Sequence, residues 1–193
     1  MPKKESYFSG EKYNLLAKKF GYRSRAAFKL IQIDDKENII KKNLNIVDLG
    51  CAPGGWSQVA SKKLNGTGSI VAIDILDMPE IKGVKFIKSD LKDFEEIKLN
   101  KPIDIVISDI APNISGVGLV DNANMIDLLE IELSIVDKTL VKGGSYLAKC
   151  FQGESLEFLK KEINKRFNFF KRIKPSASRN SSNEIYLLGL DKI

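Results

Sequence analysis

Histidine is missing from all 193 residues, and with it go the side chain most used for proton transfer near neutral pH and the commonest metal ligand. Proton transfer must then fall to lysine, carboxylate or tyrosine. Cysteine occurs twice, at Cys51 and Cys150. That is too few for a disulfide framework or a structural zinc site, so both read as small buried hydrophobes and no metal is expected. No apolar run approaches the roughly 18 residues of a spanning helix, and the opening MPKKESYFSGEK lacks the apolar core of a secretory signal. Internal repeats, low-complexity tracts and linkers are absent too. With 43% hydrophobic and 29% charged residues the chain fits one domain with a full core. The expectation is a protein of the cytoplasm, or of an organelle if the source is eukaryotic, without membrane association. No long apolar surface stripe is evident, which points to a monomer.

The net charge of +6 comes from 26 Lys and only 5 Arg against 25 acids. A lysine-rich surface is commonly just solvated, so its placement says more than its sum. Arg23, Arg25 and Lys29 cluster before the core begins, near Lys18, while Arg166, Lys171, Arg172, Lys174 and Arg179 cluster near the end.

Hydrophobic periodicity predicts helices over 11–20 and 24–33, separated by Gly21, then a strand at 45–49, a glycine loop and a helix over 55–63. Further strands are expected at 69–74, 83–90, 102–109 and 143–151, with helices over 122–140 and 155–166, and two last strands at 167–173 and 184–190. PIDIVISD, residues 102–109, is nearly continuous in Ile and Val, as a strand covered on both faces should be. Alternating strands and helices predict an α/β fold with a mostly parallel sheet and helices on both faces.

The stretch NIVDLGCAPGGWSQVA, residues 45–60, is a strand, a glycine-rich turn and a helix start, the usual ligand cradle at the carboxyl edge of such a sheet. Gly50, Gly54 and Gly55 would let backbone approach a ligand, while the helix start offers free N–H groups. Their spacing fails the G-x-G-x-x-G dinucleotide fingerprint, and Pro53 is foreign to it. Asp74 ends the second strand, where a carboxylate can accept from both hydroxyls of a ribose, and Asp90 ends the third, placed for an adenine amino group. An adenosine ligand without pyrophosphate satisfies this set, which is S-adenosylmethionine. Taken singly, either acid would be an ordinary strand-end or turn residue. Trp56 reads equally as a core residue or as a wall of the cofactor pocket.

Four charged residues stand where charge is expensive or oddly paired. Lys149 lies in the apolar strand SYLAKCF, Asp109 closes the central strand, and Glu184 begins the last one. Lys29 shares a helical face with Arg25 at i,i+4, a like-charge pairing that makes sense if both face an anion. Here YRSRAAFKL, VDLGCAPGGWSQ, ISDIAPNISG, LAKCFQGE and NEIYLLG resemble the successive motifs of the FtsJ-like family of ribose 2′-O-methyltransferases, in its ribosomal branch, from about Gly10 to Leu190. The resemblance implies a Rossmann-like class I S-adenosylmethionine-dependent methyltransferase with a seven-stranded sheet. Residues 1–35 would form an amino-terminal helical extension bearing RNA contacts and a catalytic lysine, and residues 44–193 the core. It implies a catalytic tetrad of Lys29, Asp109, Lys149 and Glu184. The cofactor set becomes Asp48, Gly50, Pro53, Gly54, Gly55, Trp56, Asp74, Asp90 and Asp109.

A ribose 2′-hydroxyl must lose its proton as it attacks a methyl carbon, and without histidine Lys149 is the candidate base. Burial and the charge of Lys29 would favour its neutral amine. Asp109 would orient that amine, and Lys29 and Glu184 would position the ribose. A role for Lys149 in positioning alone stays open. RNA contacts are expected from Arg23, Arg25 and Arg179. The stretch SRNSSNE leaves Arg179 alone where the family carries further arginines, and residues 115–124 hold no basic residue, so RNA affinity and target are less determined than the chemistry. The expected substrate is a uridine of large-subunit (23S-type) ribosomal RNA. Two alternatives are a transfer RNA anticodon-loop methyltransferase of the same family and a non-catalytic RNA-binding ribosome-assembly factor.

Overall fold

The computed structural model describes residues 4–179 and 182–193, with side chains from Glu11 onward. Residues 1–3 of the expected extension and residues 180–181 of the stretch after Arg179 lie outside the described residues. The chain runs α1 (Lys4–Phe20), α2 (Ala27–Glu37), β1 (Asn45–Leu49), α3 (Gly55–Leu64), β2 (Ser69–Asp74), β3 (Val84–Lys88) and β4 (Ile103–Ser108). It continues through α4 (Gly118–Thr139), β5 (Leu140–Phe151), α5 (Glu154–Asn164), β6 (Phe167–Ile173) and β7 (Glu184–Lys192). Three strands keep the expected bounds. Helix α4 begins four residues earlier than the periodicity predicts, and β5 begins at Leu140 with no loop between them. A 3-10 segment at Leu91–Glu96, capped by the Asp90 carboxylate accepting from the Lys92 amide, was not expected.

The described strands form one seven-stranded sheet in the order β3-β2-β1-β4-β5-β7-β6. β7 alone runs antiparallel, inserted between β5 and β6. Consecutive residues of each strand point to opposite faces, and the Ile/Val runs therefore feed two cores. Ile46, Ile105, Ile107, Leu147 and Tyr186 pack with Ala27, Leu30 and Ile33 of α2 and Val59 and Leu64 of α3. Val47, Val106, Ala148, Cys150 and Leu187 pack with Met125, Leu129 and Leu133 of α4 and Leu156 and Leu159 of α5. Helix α2 thus belongs to the core rather than to an appended extension: its Ala27, Leu30 and Ile33 are fully buried. Both cysteines are buried and free. Among the described residues no helix is long and apolar enough to cross a membrane, and no cluster of metal ligands occurs.

Candidate active site

Strand order reverses between β1 and β4, and the crevice at such a switch point is where open α/β sheets bind ligands. Gly50 follows β1 and Asp109 follows β4, so the glycine loop and the central carboxylate meet there. Odd-numbered residues of β4 and β5 face α2 and α3, as Ile107 and Leu147 show. The same parity carries Asp109 and Lys149 to that face, and in β7 the even-numbered residues Glu184 and Tyr186 take it, as Tyr186 and Leu188 show. Lys29 arrives from α2.

The four charged residues expected together do meet. Lys149 Nζ donates to the backbone oxygen of Asp109 at 2.5 Å and lies 3.1 Å from its Oδ1. Lys29 Nζ lies 3.5 Å from the same Oδ1 and 3.1 Å from Glu184 Oε2. Burial alone would push the Asp109 carboxyl up, but Lys149, Lys29 and a hydrogen bond from Tyr186 outweigh it and hold it below the usual range. It is therefore a fixed anion. Lys29 and Lys149 are 6% and 4% exposed, so two buried lysine side chains share one half-buried carboxylate, with Glu184 beside them.

Tyr186 was not foreseen as a site residue. Its hydroxyl donates to Asp109 Oδ1 at 2.5 Å, and its ring lies 5.6 Å from Lys29 Nζ and 5.8 Å from the Trp56 ring. The signal was present: a tyrosine two residues after Glu184 on one strand shares its face. A second unforeseen group is Glu132, fully buried behind the sheet on α4. It accepts from Ser108 Oγ at 2.8 Å and Tyr146 Oη at 2.6 Å. Ser108 Oγ also accepts from the Ile110 amide at 3.3 Å and so steadies the turn that carries Asp109. Burial pushes the Glu132 carboxyl up to about 7 despite these bonds.

The glycines of the loop also stand close to the chain's own side chains. A Cβ on Gly50 would stand 2.7 Å from Ile110 Cβ, one on Gly54 2.8 Å from Arg23 Nη1, and one on Gly55 2.5 Å from Ser24 Oγ. The space they leave is filled by the chain's own side chains, and Gly54 also has a φ of +106°, open mainly to glycine. Asp48, beneath the loop, accepts from Ser57 Oγ at 2.5 Å, and burial pushes it up to about 7. Trp56 is buried with Nε1 donating to the Ala26 oxygen, and it also lines the smaller hollow.

Two hollows meet at Gly50, Ala52 and Asp109. The smaller, of about 270 Å³, is lined by Ser24, Arg25, Lys29, Asp48, Pro53 and Trp56. The wider, of about 770 Å³, runs from Asp74, Ile75 and Leu76 to Asn113 and Asn124. The Asp74 carboxylate accepts from the Ala52 amide through one oxygen and from the Leu76 amide through the other, both at 2.8 Å. Each oxygen keeps a lone pair for a further donor. Asp90, exposed, caps its turn and does not line either hollow.

The expected RNA contacts divide. Arg23 donates to the backbone oxygens of Pro53 (3.2 Å), Pro79 (2.6 Å) and Glu80 (2.7 Å), which corrects its reading as a free phosphate contact: it ties the glycine loop down. Arg25 Nη1 is buried with no hydrogen-bond partner among the described residues. Burial and the neighbouring Arg179 lower its proton affinity, opposed by Glu184 and Asp109. Arg25 and Arg179 thus stand together beside the tetrad. The rest of the carboxyl-terminal basic cluster is less free than its sequence suggests, since Arg166 pairs with Asp137 and Glu162, Lys171 with Glu37, and Lys174 donates to the Ser182 oxygen.

A model of the FtsJ-like methyltransferase family matches residues 22–192. The ribosomal RNA large subunit methyltransferase E of Methylobacillus flagellatus is 47% identical over 182 residues, 91% of this chain and 88% of its own. A solved structure from Plasmodium falciparum, described as a ribosomal RNA methyltransferase, superposes with a TM-score of 0.79 at 32% identity and covers 89% of this chain and 98% of that one. Aeropyrum pernix fibrillarin, solved with S-adenosyl-L-methionine bound, shares the fold with a TM-score of 0.61 at 17% identity, over 92% of this chain and 76% of that one.

Proposed function

The chain belongs to the FtsJ-like methyltransferase family, and on that footing we propose that it transfers a methyl group from S-adenosylmethionine to a ribose 2′-hydroxyl of RNA, a uridine of large-subunit ribosomal RNA. The observation that carries the chemistry is the convergence of Lys149, Lys29 and Glu184 on Asp109 at one rim of the sheet. The relatives carry the substrate.

The residues around the two hollows fit this cofactor. Ser24 Oγ is a buried donor without a partner, and the amino terminus of α3 has no side-chain cap, so the smaller hollow offers donors to a carboxylate. The Asp109 anion and the buried Asp48 carboxyl, both lining the smaller hollow, face an ammonium or a sulfonium there. In the wider hollow Asp74 has lone pairs for ribose hydroxyls, and Ile75 and Leu76 supply apolar wall. When bound, S-adenosylmethionine supplies an electrophilic methyl group on a sulfonium sulfur.

The chain's own residues do the rest. Lys149, fixed by the backbone and side-chain oxygens of Asp109, takes the proton of the 2′-hydroxyl in its neutral amine form, having first given up its own proton to solvent. Asp109 does not need to move to hold it, because Tyr186 and Lys29 bind the same oxygen. Lys29 and Glu184, paired with each other, orient the ribose, which makes the reacting oxygen's position part of the folded structure rather than of the encounter. Arg25 and Arg179 take the phosphates that flank the target nucleotide. Arg23 holds the loop on which the cofactor rests.

The test is transfer of labelled methyl from S-adenosylmethionine to large ribosomal subunits, naked ribosomal RNA and transfer RNA, with Lys149→Ala alongside. Label in ribosomal RNA at a ribose, abolished by Lys149→Ala with cofactor binding intact, is the expected result. Label in transfer RNA alone would overturn the substrate. Cofactor binding without any transfer would leave an RNA-binding assembly factor.

A further inference from the structure

The rim that carries the tetrad has two unlike banks. On the α2 side stand Arg25, Lys29 and, from the loop before β7, Arg179. On the α4 side, from residue 102 to residue 137, there is no lysine or arginine in a chain that holds 31 of them. That stretch presents Ile114, Val117, Leu119 and Val120 to solvent, with 61%, 55%, 73% and 46% of their surfaces exposed.

These residues are not on a loose tip. The Asp121 carboxylate accepts from the Ser115 amide and hydroxyl, both at 2.7 Å, and from the Gly116 amide at 3.2 Å, closing the loop onto the start of α4. Asn122 then joins α4 to the end of β5: its side-chain oxygen accepts from the Ser155 amide and hydroxyl, and Ser155 Oγ in turn bonds the backbone of Phe151. Phe151 lies two residues beyond Lys149 and opposite Glu184 in the β5–β7 register. A built apolar surface is thereby fixed across the rim from the basic one, with Asp109, Lys149 and Glu184 between.

We propose that this bank, Ile114 with Val117, Leu119 and Val120, receives the unpaired base of the target nucleotide. The inference rests on the RNA methyltransferase reading and deepens it. A ribose held at the tetrad sends its phosphates and its base in different directions. Phosphates have their partners on the α2 bank, because residues 102–137 supply no cation and carry Asp121, and Lys92 lines the wider hollow below them. Faces of a base need only apolar contact and exclusion of water, and the four aliphatic side chains offer that and no hydrogen bond. Two consequences follow: the enzyme selects an unpaired nucleotide and discriminates weakly between uracil and cytosine at it, leaving choice of target to the phosphate contacts and the fold of the RNA.

A photo-reactive residue reads the occupant directly. Leu119→p-benzoylphenylalanine is irradiated with the RNA particle that the unmodified protein methylates. The adduct is expected at the methylated nucleotide or its immediate neighbour, mapped by reverse-transcription stops. Cross-linking to a ribosomal protein would overturn the proposal in favour of a protein partner. An adduct far along the RNA, or none while a probe at Arg179 does cross-link, would overturn it as well. As a second measurement, Val117→Ser with Leu119→Ser raises KM for RNA about tenfold and leaves cofactor binding and melting temperature unchanged. An unchanged KM counts against the bank. If the unmodified protein methylates no RNA, the functional reading itself has failed, and that result is distinct from transfer with an adduct elsewhere.

Discussion

Replacing Glu132 by Gln should make the protein more resistant to heat, and increasingly so as pH rises. The carboxyl is fully buried, and burial pushes it from its ordinary 4.5 to about 7. Between those two values the folded chain keeps a proton that the unfolded chain has released. The folded state therefore binds more protons, and its stability falls as pH climbs through the window. Above the folded value the loss is complete. The span corresponds to a loss on the order of 2 kcal/mol between about pH 5 and about pH 8. Glutamine is close in shape, and its amide can accept from one of Ser108 and Tyr146 and donate to the other, so the hydrogen bonds survive while the titration does not. Thermal unfolding of both proteins at the two pH values isolates this group, since every other carboxyl is common to both. For a domain of this size the difference in melting temperature should widen by about 5 °C from the lower pH to the higher. A gap that stays constant would mean that Glu132 ionises as an exposed acid does, and the reasoning from its burial would be wrong.

Other outcomes follow from the same geometry. Tyr186→Phe removes a 2.5 Å donor to the Asp109 anion, a bond to a charged group worth about 1.5–3 kcal/mol; single-turnover transfer should slow about tenfold or more with cofactor affinity unchanged, and an unaltered rate would show that the two lysines hold Asp109 unaided. Arg23→Ala breaks three bonds to backbone oxygens of the glycine loop and its neighbour; isothermal titration should show weaker cofactor binding, while the salt dependence of RNA binding stays as it was. Arg25→Ala should do the converse to RNA, lowering the slope of log affinity against log salt by about one; a slope equal to that of the unaltered protein would remove Arg25 from the phosphate contacts.

Much of this was legible in the chain because strands write their own parity. Asn45–Leu49, Ser69–Asp74 and Phe167–Ile173 stand where alternation and Ile/Val content place them. The start of α4 was misread because Gly118 and the apolar Leu119 and Val120 look like loop until Asp121 is seen gathering Ser115 and Gly116 beneath them. The glycines are legible as a ligand loop, but that Gly50, Gly54 and Gly55 also make room for Ile110, Arg23 and Ser24 is a contact between segments that no local pattern reports. Glu132 was visible in principle, since it falls among Met125, Leu129, Leu133 and Val136 on the apolar side of its helix, where an acid needs partners.

What no local pattern could supply is the direction of the last strand. Asp109 and Lys149 stand at or near the ends of parallel strands, which places them at the carboxyl rim without further assumption. Glu184 stands at the beginning of its strand, and in a wholly parallel sheet it would emerge at the opposite edge, a full strand length from Lys149. The antiparallel insertion of β7 beside β5 reverses this, pairing Glu184 with Phe151 and Tyr186 with Lys149. Parity then turns Glu184, Tyr186 and Lys149 toward the same helix, and Lys29 on that helix closes the group. A single topological choice thus converts a carboxylate at the wrong end of a strand into a neighbour of the reacting amine, and the one strand that breaks the parallel rule is the strand the tetrad requires.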